Sequence, residues 1–477
     1  MDLHLHFDGE RDLVGQLYRQ LRDAILSQRL QAGAQLPPSR LLAQQFQVSR
    51  KTVTEAYDRL RSKGLLHGKA GAGTFVSDLA RRQADGRPGA RSAAIVPLAR
   101  WTTVDTPLLG APAQASRYDF RGGQPDRPPA LSDAWRQCVA DALRRPSHMG
   151  AIPPEGLPAL RELIARQLAA TRAVICEAAD IMVTHGAQQA IDLIGRVMIE
   201  PGAVVAMEDP GYPPARAAFL SHGARLVGVP VDDEGLCVEQ LPDDARLVYV
   251  TPSHQFPLGM PMSLPRRLAL LEWAAARGAV IIEDDYDCEF RYQGRPLESL
   301  QNLDRAGLVA YVGSFSKTLF PELRLGYLVM PPGLRLALCK AKHLSDWYTY
   351  PLGQEALVRF LRDGALARHM RRSHKRYAVR RERLLARLDG DLGHWLQPIV
   401  PMAGFHLTAW LRQPIDTAAL GYQARLMDLG IYPLAPFYHA QPARAGLMFG
   451  FGALDLAELD EGLNRLRDLL AGWPASA

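Results

Sequence analysis

The chain of 477 residues has no apolar run of about 18 residues or more, so no transmembrane helix is predicted. Its first residues, "MDLHLHFDGERDL", lack a basic stretch followed by an apolar one, so a secretory leader is not expected. Cysteine is scarce. Cys138, Cys176, Cys237, Cys288 and Cys339 are odd in number, widely spaced, and form no CxxC pair. That pattern argues against a disulfide framework and a zinc site, and it suits a reducing cytosol. Neither sign of charge dominates: 56 Lys/Arg face 50 Asp/Glu, a net charge of +6. With 47% hydrophobic and 22% charged residues, this is an ordinary globular composition rather than a disordered polyelectrolyte. The length favours two or more domains. No internal repeat is visible.

The charge is unevenly placed. Between Ser39 and Gly73 seven Lys/Arg stand against two acids, a net of +5 in 35 residues. Such a patch favours polyanions. The surrounding pattern gives it meaning. Val14, Leu17, Leu21, Ala24 and Ile25 recur at three- and four-residue steps, which predicts a helix over 11–28. "QAGAQLPPS" interrupts it, and Ser39 is placed to cap a short helix over "SRLLAQQF". "QVS" reads as a tight turn, followed by a second helix over "RKTVTEAYDRLRSKG" with Val53, Ala56, Tyr57 and Leu60 inward. Two helices across a short turn, with Arg50, Lys51 and Thr52 opening the second, form a helix-turn-helix. "GLLHGKAGAGTFV" reads as two short strands around a glycine-rich tip, where Gly71 and Gly73 would let the backbone approach a groove. An arginine at a recognition-helix start can fork onto guanine or clamp a phosphate.

Residues 11–77 resemble the GntR-type winged helix-turn-helix, through "LPPSRLLAQQFQVSRKTVTEAYDRLRSKGLL" and "GAGTFV". The resemblance implies that Arg40 and Arg50 contact double-stranded operator DNA, with Ser39, Lys51, Thr52, Gly71 and Gly73 alongside. The first domain is taken as 1–77. Residues 78–117, rich in Ala, Arg, Gly and Pro with no apolar period, read as a connector.

From Tyr118 to the end, "AVVAM", "LVYVT", "AVIIED" and "LVAYVGS" are strand-like runs separated by helical stretches. That alternation predicts an α/β domain over 118–477 with a mostly parallel sheet, whose ligands lie beyond the strand carboxyl ends. The chemistry-bearing residues fall there. "THGAQQAIDL" puts Gly186, Ala187 and Gln188 at a helix start, where open amides can hold a phosphate. "EDDYDCEFRY" supplies Asp284 and Tyr286, and "GSFSKTLFPELRLGYL" supplies Ser314, Ser316, Lys317 and Arg324. A lysine amine condenses with an aldehyde, an acid keeps a pyridine nitrogen protonated, and serines with an arginine suit a phosphate. One cofactor carries all three groups, pyridoxal 5'-phosphate.

The motifs "EDPGY", "TPSHQFPLG", "EDDYDCEF" and "SFSKTLFPELRLGY", in that order, resemble a fold-type I aminotransferase domain. Joined to the first module, the whole chain is similar to MocR-type regulators of the GntR family. The resemblance implies an internal aldimine at Lys317 and Asp284 on the pyridine nitrogen. It also implies Tyr286 on the ring hydroxyl, Tyr212 beside the ring, and Ser314, Ser316 and Arg324 on the phosphate. It further implies a cytoplasmic head-to-tail homodimer, no membrane association, and a small-molecule effector. Three places depart from the pattern. The usual carboxylate-binding arginine near the end is Met448, the tyrosine of a "GYGDPxG" string is replaced at Ala151, and the usual asparagine of "NPTG" is Phe256. His254 or Gln255 is expected to substitute for that asparagine. Arg216, four positions after Tyr212, is the nearest arginine in sequence that could replace the lost cation. The expectation is a regulator that senses pyridoxal phosphate, in control of vitamin B6 metabolism. The rivals are a working aminotransferase with a DNA-binding domain attached and a regulator answering an amino compound.

Overall fold

The computed structural model describes residues 7, 9, 12–69, 72–77, 97–104, 106, 116–144, 152–287, 289–294, 298–440 and 443–474. Gly71, Ala151, Cys288 and most of the predicted connector lie outside the described residues. The chain divides into two compact units, Met1–Pro97 and Leu98–Ala477.

In the first unit Asp12 caps helix α1 (Leu13–Leu26) by accepting from the Gly15 amide at 3.1 Å. Leu17, Leu21, Ala24 and Ile25 are all buried, as their helical spacing requires. Strand β1 (Gln35–Leu36) leads into helix α2 (Ser39–Gln45). Here the structure corrects the expected cap. Pro38 holds the cap position, and Ser39 is the first helical residue with no side-chain cap bond. Helix α3 (Arg50–Ser62) is capped by Ser49, whose Oγ accepts from the Thr52 amide at 3.0 Å. Such a cap contributes about 1 kcal/mol. Val53, Ala56, Tyr57 and Leu60 close the core against α1. Strands β2 (Leu66–Lys69) and β3 (Gly73–Val76) form an antiparallel wing, with β1 on the other edge of β3.

In the second unit a short helix, Ala99–Thr103, precedes the short strand β4 (Tyr118–Asp119). It is built on an eight-stranded sheet of β5 (Ile181–Thr184), β6 (Val204–Asp209), β7 (Arg225–Asp232), β8 (Gly235–Leu236), β9 (Ala245–Val250), β10 (Val280–Asp285), β11 (Val309–Ser314) and β12 (Gly326–Val329). Their order is β5-β12-β11-β10-β9-β6-β7-β8. Strands β7, β6, β9, β10 and β11 run parallel, and β12 is antiparallel to both neighbours. The four predicted apolar runs are β6, β9, β10 and β11. They read as continuous apolar stretches because helices cover both faces. Adjacent residues face opposite ways. Tyr249 and Ile282 pack under helix Gly186–Met198, and Val248 and Ile281 under helix Leu264–Arg277. Burying a leucine such as Leu193 or Leu270 contributes about 1.5–3 kcal/mol.

The chain then forms a four-stranded antiparallel sheet from β13 (Leu396–Ile399), β14 (His406–Leu411), β16 (Tyr432–Pro433) and β17 (Gly446–Gly450), in the order β13-β14-β17-β16. Strand β15 (Leu429–Gly430) pairs in parallel with β4. That pairing ties the residues after Tyr118 to this part of the fold and sets where the segment Arg121–Gln124 runs.

Candidate functional site

The carboxyl ends of β9, β10 and β11 and the start of helix Gly186–Met198 border a cavity of about 500 Å³. The two-residue period of β10 sorts its acids. Asp284 lines the cavity. Asp285 points away and accepts from Tyr311 Oη, with the Arg172 guanidinium 3.2 Å off. Asp284 Oδ2 accepts from the Tyr249 hydroxyl at 2.6 Å, while its Oδ1 is buried with no partner among the described residues. Burial pushes the Asp284 carboxyl up to about 6, against the opposing pull of the Tyr249 bond. Lys317 lies across the cavity, its Nζ donating to the Gly123 carbonyl at 2.8 Å. Burial pushes its amine down, and Asp287 and Asp284 oppose the shift. A lowered amine pKa leaves more of the neutral, nucleophilic form.

Gly123 has φ +73°, and a Cβ there would lie 2.4 Å from Lys317 Nζ, so only glycine leaves the lysine tip in place. Arg324, too, sits in the left-handed region, at φ 50°. For a residue with a Cβ this costs about 1–2 kcal/mol. The bend turns its guanidinium back to the His185 carbonyl at 3.0 Å, against Gly186. Ser314 and Ser316 line the same end, and Ser316 Oγ is a second buried atom without a partner among the described residues.

Of the predicted site residues, Ala187, Gln188, Tyr212, Asp284, Tyr286, Ser314, Ser316, Lys317 and Arg324 converge on this one cavity. Gly186 backs Arg324 instead of lining it. His254 stands one layer behind. Its Nδ1 is 2.7 Å from Asp287 Oδ1 and 3.2 Å from Tyr286 Oη, so it reaches the cavity through Tyr286. Gln255 is engaged elsewhere, donating to the Pro210 and Phe256 carbonyls. Arg216 likewise donates to the carbonyls of Tyr438 and Pro436 and does not line the cavity.

Sequence reasoning missed Tyr249, His406, Asp287 and the segment Arg121–Gln124. Tyr249 was findable, since it lies on the same face of β9 as Asp284 does on β10. His406 arrives from a different sheet, and no spacing announces it. Met448 lines the cavity too and is buried among Leu258, Leu434 and neighbouring aromatic rings. Phe256 packs edge-on to Tyr212 and Phe437 at 5.4 and 5.2 Å.

In the first unit Arg40, Arg50 and Lys51 are exposed, with no ion pair among the described residues. Arg59 and Arg61 are paired with Glu55 and Asp58. Three such cations therefore stand at the starts of α2 and α3, while Arg29, Lys63 and Lys69, also without an ion pair among the described residues, lie elsewhere on the unit. Thr52 is half-buried and tied to the Ser49 cap, 2.8 Å between hydroxyls. Gly73 has φ +117°, and the Gln35 amide occupies the space a side chain would need, so its glycine serves the wing's own packing.

Residues 13–76 match the family model of bacterial regulatory proteins of the gntR family, and residues 115–435 that of aminotransferase class I and II. The chain is 34% identical to the probable rhizopine catabolism regulatory protein MocR of Rhizobium meliloti, over 99% of this chain and 97% of that one. It is 33% identical to the pyridoxine biosynthesis transcriptional regulator PdxR of Corynebacterium glutamicum, over 92% of each. Among solved structures it is similar to LysN, an alpha-aminoadipate aminotransferase of Thermus thermophilus complexed with N-(5'-phosphopyridoxyl)-L-leucine. The TM-score is 0.68 at 29% identity, covering 74% of this chain and 92% of that one.

A winged helix-turn-helix followed by a fold-type I aminotransferase unit defines a class of transcription regulators. The chain belongs to the MocR-type subfamily of the GntR family. Aminotransferases of this class depend on pyridoxal phosphate. The residues present fit that group. Among the described residues, Asp284 offers a buried acceptor without a partner and Ser316 a hydroxyl without one, and Arg324 and the Lys317 amine line the same cavity.

Proposed function

We propose that this protein is a DNA-binding regulator whose operator affinity depends on what occupies the cavity around Lys317. In this reading Arg40 and Arg50, with Lys51 and Thr52, grip operator DNA. Lys317 holds pyridoxal phosphate, Asp284 keeps the ring nitrogen protonated, and Tyr286 meets the ring hydroxyl. Ser314, Ser316 and Arg324 hold the phosphate. The bound cofactor supplies an electron-withdrawing ring able to accept an amine. The protein's own residues orient it and keep Lys317 close by.

One contrast carries the proposal. The cofactor-facing half of the cavity is furnished, whereas the position that would anchor an amino-acid carboxylate is Met448, buried among apolar and aromatic neighbours. A carboxylate placed against β17 (Gly446–Gly450) would find no charged side chain on that strand, although Arg121 and Arg425 line the cavity elsewhere. A site furnished for the cofactor in this way favours sensing over turnover, with pyridoxal phosphate itself as effector and vitamin B6 synthesis as the regulated process. Two operator half-sites suit a homodimer, head-to-tail in this reading, acting in the cytoplasm where the DNA lies.

The test uses purified full chain. Cofactor should give a visible absorbance, and borohydride should fix it to one peptide containing Lys317. Adding pyridoxal phosphate without any amino acid should shift operator affinity, and Lys317→Ala should abolish that shift. An operator-binding curve identical with and without cofactor would overturn the sensing reading.

A further inference from the structure

A second cavity, of about 140 Å³, shares no lining residue with the one around Lys317 among the described residues. Three helices border it, Pro129–Arg144, Pro351–Arg362 and Ala365–Asp389. One wall is apolar. Leu131 and Phe360 are 3% and 1% exposed, with Ala134 and Ala365 beside them. The other wall belongs to helix Ala365–Asp389, from which Arg368, Arg372 and Arg376 line the cavity at steps of four.

That spacing stacks the three side chains on one helix face, where like charges destabilise the helix. The helix offers no relief of its own. From Ala365 to Val379 it carries four Arg and one Lys, and no Asp or Glu. Its surroundings compensate one end only. Arg376 Nε donates to Asp126 Oδ2 at 2.6 Å and its Nη2 to Ser373 Oγ at 3.1 Å, and Asp126 is shared with Arg380. Arg368 donates to the Asp363 carbonyl at 2.7 Å, which carries no charge. Arg372 makes no hydrogen bond or ion pair among the described residues. His369, 8% exposed, lines the same wall with its Nε2 3.4 Å from Ser373 Oγ. Burial pushes its imidazole down, so it adds a polar side chain without a further charge. It also hydrogen-bonds the backbone of Thr318, which puts the cavity one layer behind the Lys317 segment. Two guanidinium groups without a carboxylate partner therefore face an apolar wall across a space of this size. A cavity of about 150 Å³ is room enough for benzene, and a guanidinium fork matches a carboxylate.

We infer that this cavity is a second ligand site, for a small organic acid with a compact apolar body. The carboxylate pairs with Arg368 and Arg372, and the body lies against Leu131, Ala134 and Phe360. A free phosphate or a nucleic-acid backbone would use the arginines and leave the apolar wall without a role. The combination of the two walls is what selects the organic acid. The inference does not depend on how the Lys317 cavity is used.

The experiment is calorimetric titration of the full chain with benzoate, benzyl alcohol and inorganic phosphate, each with and without saturating pyridoxal phosphate. Benzoate should bind about tenfold or more tightly than either of the other probes, and equally well in both conditions. The double variant Arg368→Gln, Arg372→Gln should remove the preference for benzoate over benzyl alcohol. Ala134→Leu, which fills the apolar side and keeps the arginines, should block both aromatic probes. Arg425→Gln, in the wall of the Lys317 cavity, should change nothing. Thermal melting checks that each variant is folded. Failure of the parent to bind benzoate would overturn the inference, as would phosphate binding as tightly as benzoate. So would a preference for benzoate that survives the double arginine variant, or benzoate binding that pyridoxal phosphate or Arg425→Gln removes, since that binding belongs to the Lys317 cavity.

Discussion

Replacing Asp284 with asparagine should move two measurements in opposite directions. The Asp284 carboxyl is 4% exposed, with one oxygen lacking a partner among the described residues, and burial raises it from an ordinary value near 3.8 to about 6. A raised carboxyl favours the protonated form, so without cofactor the ionised group destabilises the fold. The penalty is absent below about pH 4, grows as pH climbs through about 6, and is constant above. Two pKa units correspond to about 3 kcal/mol. The asparagine side chain would carry no charge, would still accept from the Tyr249 hydroxyl, and would leave a buried N–H pair unsatisfied at a cost of about 1 kcal/mol. The cofactor-free variant should therefore be about 1–2 kcal/mol more stable than the parent at pH 8, with that gain lost at pH 4. The cofactor needs the opposite. Losing a charge-assisted bond of about 1.5–3 kcal/mol should weaken pyridoxal phosphate binding about ten- to a hundredfold. Denaturant melts of apoprotein at several pH values give the first quantity, and titration of the visible absorbance gives the second. A stability difference that does not change with pH, or an unchanged cofactor affinity, would refute the reasoning.

Three other outcomes are expected. The double variant Arg40→Ala, Arg50→Ala should weaken operator binding, with about 1–3 kcal/mol from Arg50 if it reads a base, in an electrophoretic or fluorescence assay; an unchanged curve excludes the assigned face. Gly123→Ala should cost about 1 kcal/mol for a side chain at φ +73° and push Lys317 off its position, lowering covalent cofactor capture more than overall stability; normal capture would show that the lysine tip has room to spare. Common α-amino acids should give little or no keto-acid release from the cofactor-loaded protein, and rapid multiple turnover with any of them would promote the enzyme reading.

Sequence patterns reached the two modules by different routes. The helices of the first unit were legible because Leu17, Leu21, Ala24, Ile25, Val53, Ala56, Tyr57 and Leu60 obey a 3.6-residue period and all are buried. The cap of α2 was misread because a serine after two prolines looks like a cap, yet the second proline already has the required φ of −53°. In the second unit the parallel strands were legible as apolar runs, and their carboxyl ends pointed to Asp284, Ser314 and Lys317. What stayed hidden came from elements distant in sequence. Arg121 precedes Lys317 by nearly two hundred positions and Tyr432 follows by more than a hundred, and no local period brings them together. The same holds for His406 and Asp287, which stand behind Tyr286 only once β14 packs beside the end of β10. Arg216 was the reverse case, near in sequence but turned to backbone carbonyls.

If occupancy of the cavity controls operator binding, the coupling must run both ways, because linkage is reciprocal. A tenfold change in operator affinity requires about 1.4 kcal/mol of differential cofactor affinity between the states that bind DNA well and badly. The cavity has ample means to supply it. Asp284 Oδ1 and Ser316 Oγ are buried without partners among the described residues, and burial raises the Asp284 carboxyl to about 6. Satisfying either atom is worth about as much as the whole coupling. A strained residue is available as well, Arg324 at φ 50°, whose guanidinium rests on a backbone carbonyl at the start of helix Gly186–Met198. A phosphate placed against Arg324 and Ser316 would give that conformation a charged partner. Cofactor binding is thus able to select one state of the second unit without any chemical turnover, and saturating operator DNA should tighten or loosen pyridoxal phosphate binding by the same factor that the cofactor changes operator affinity.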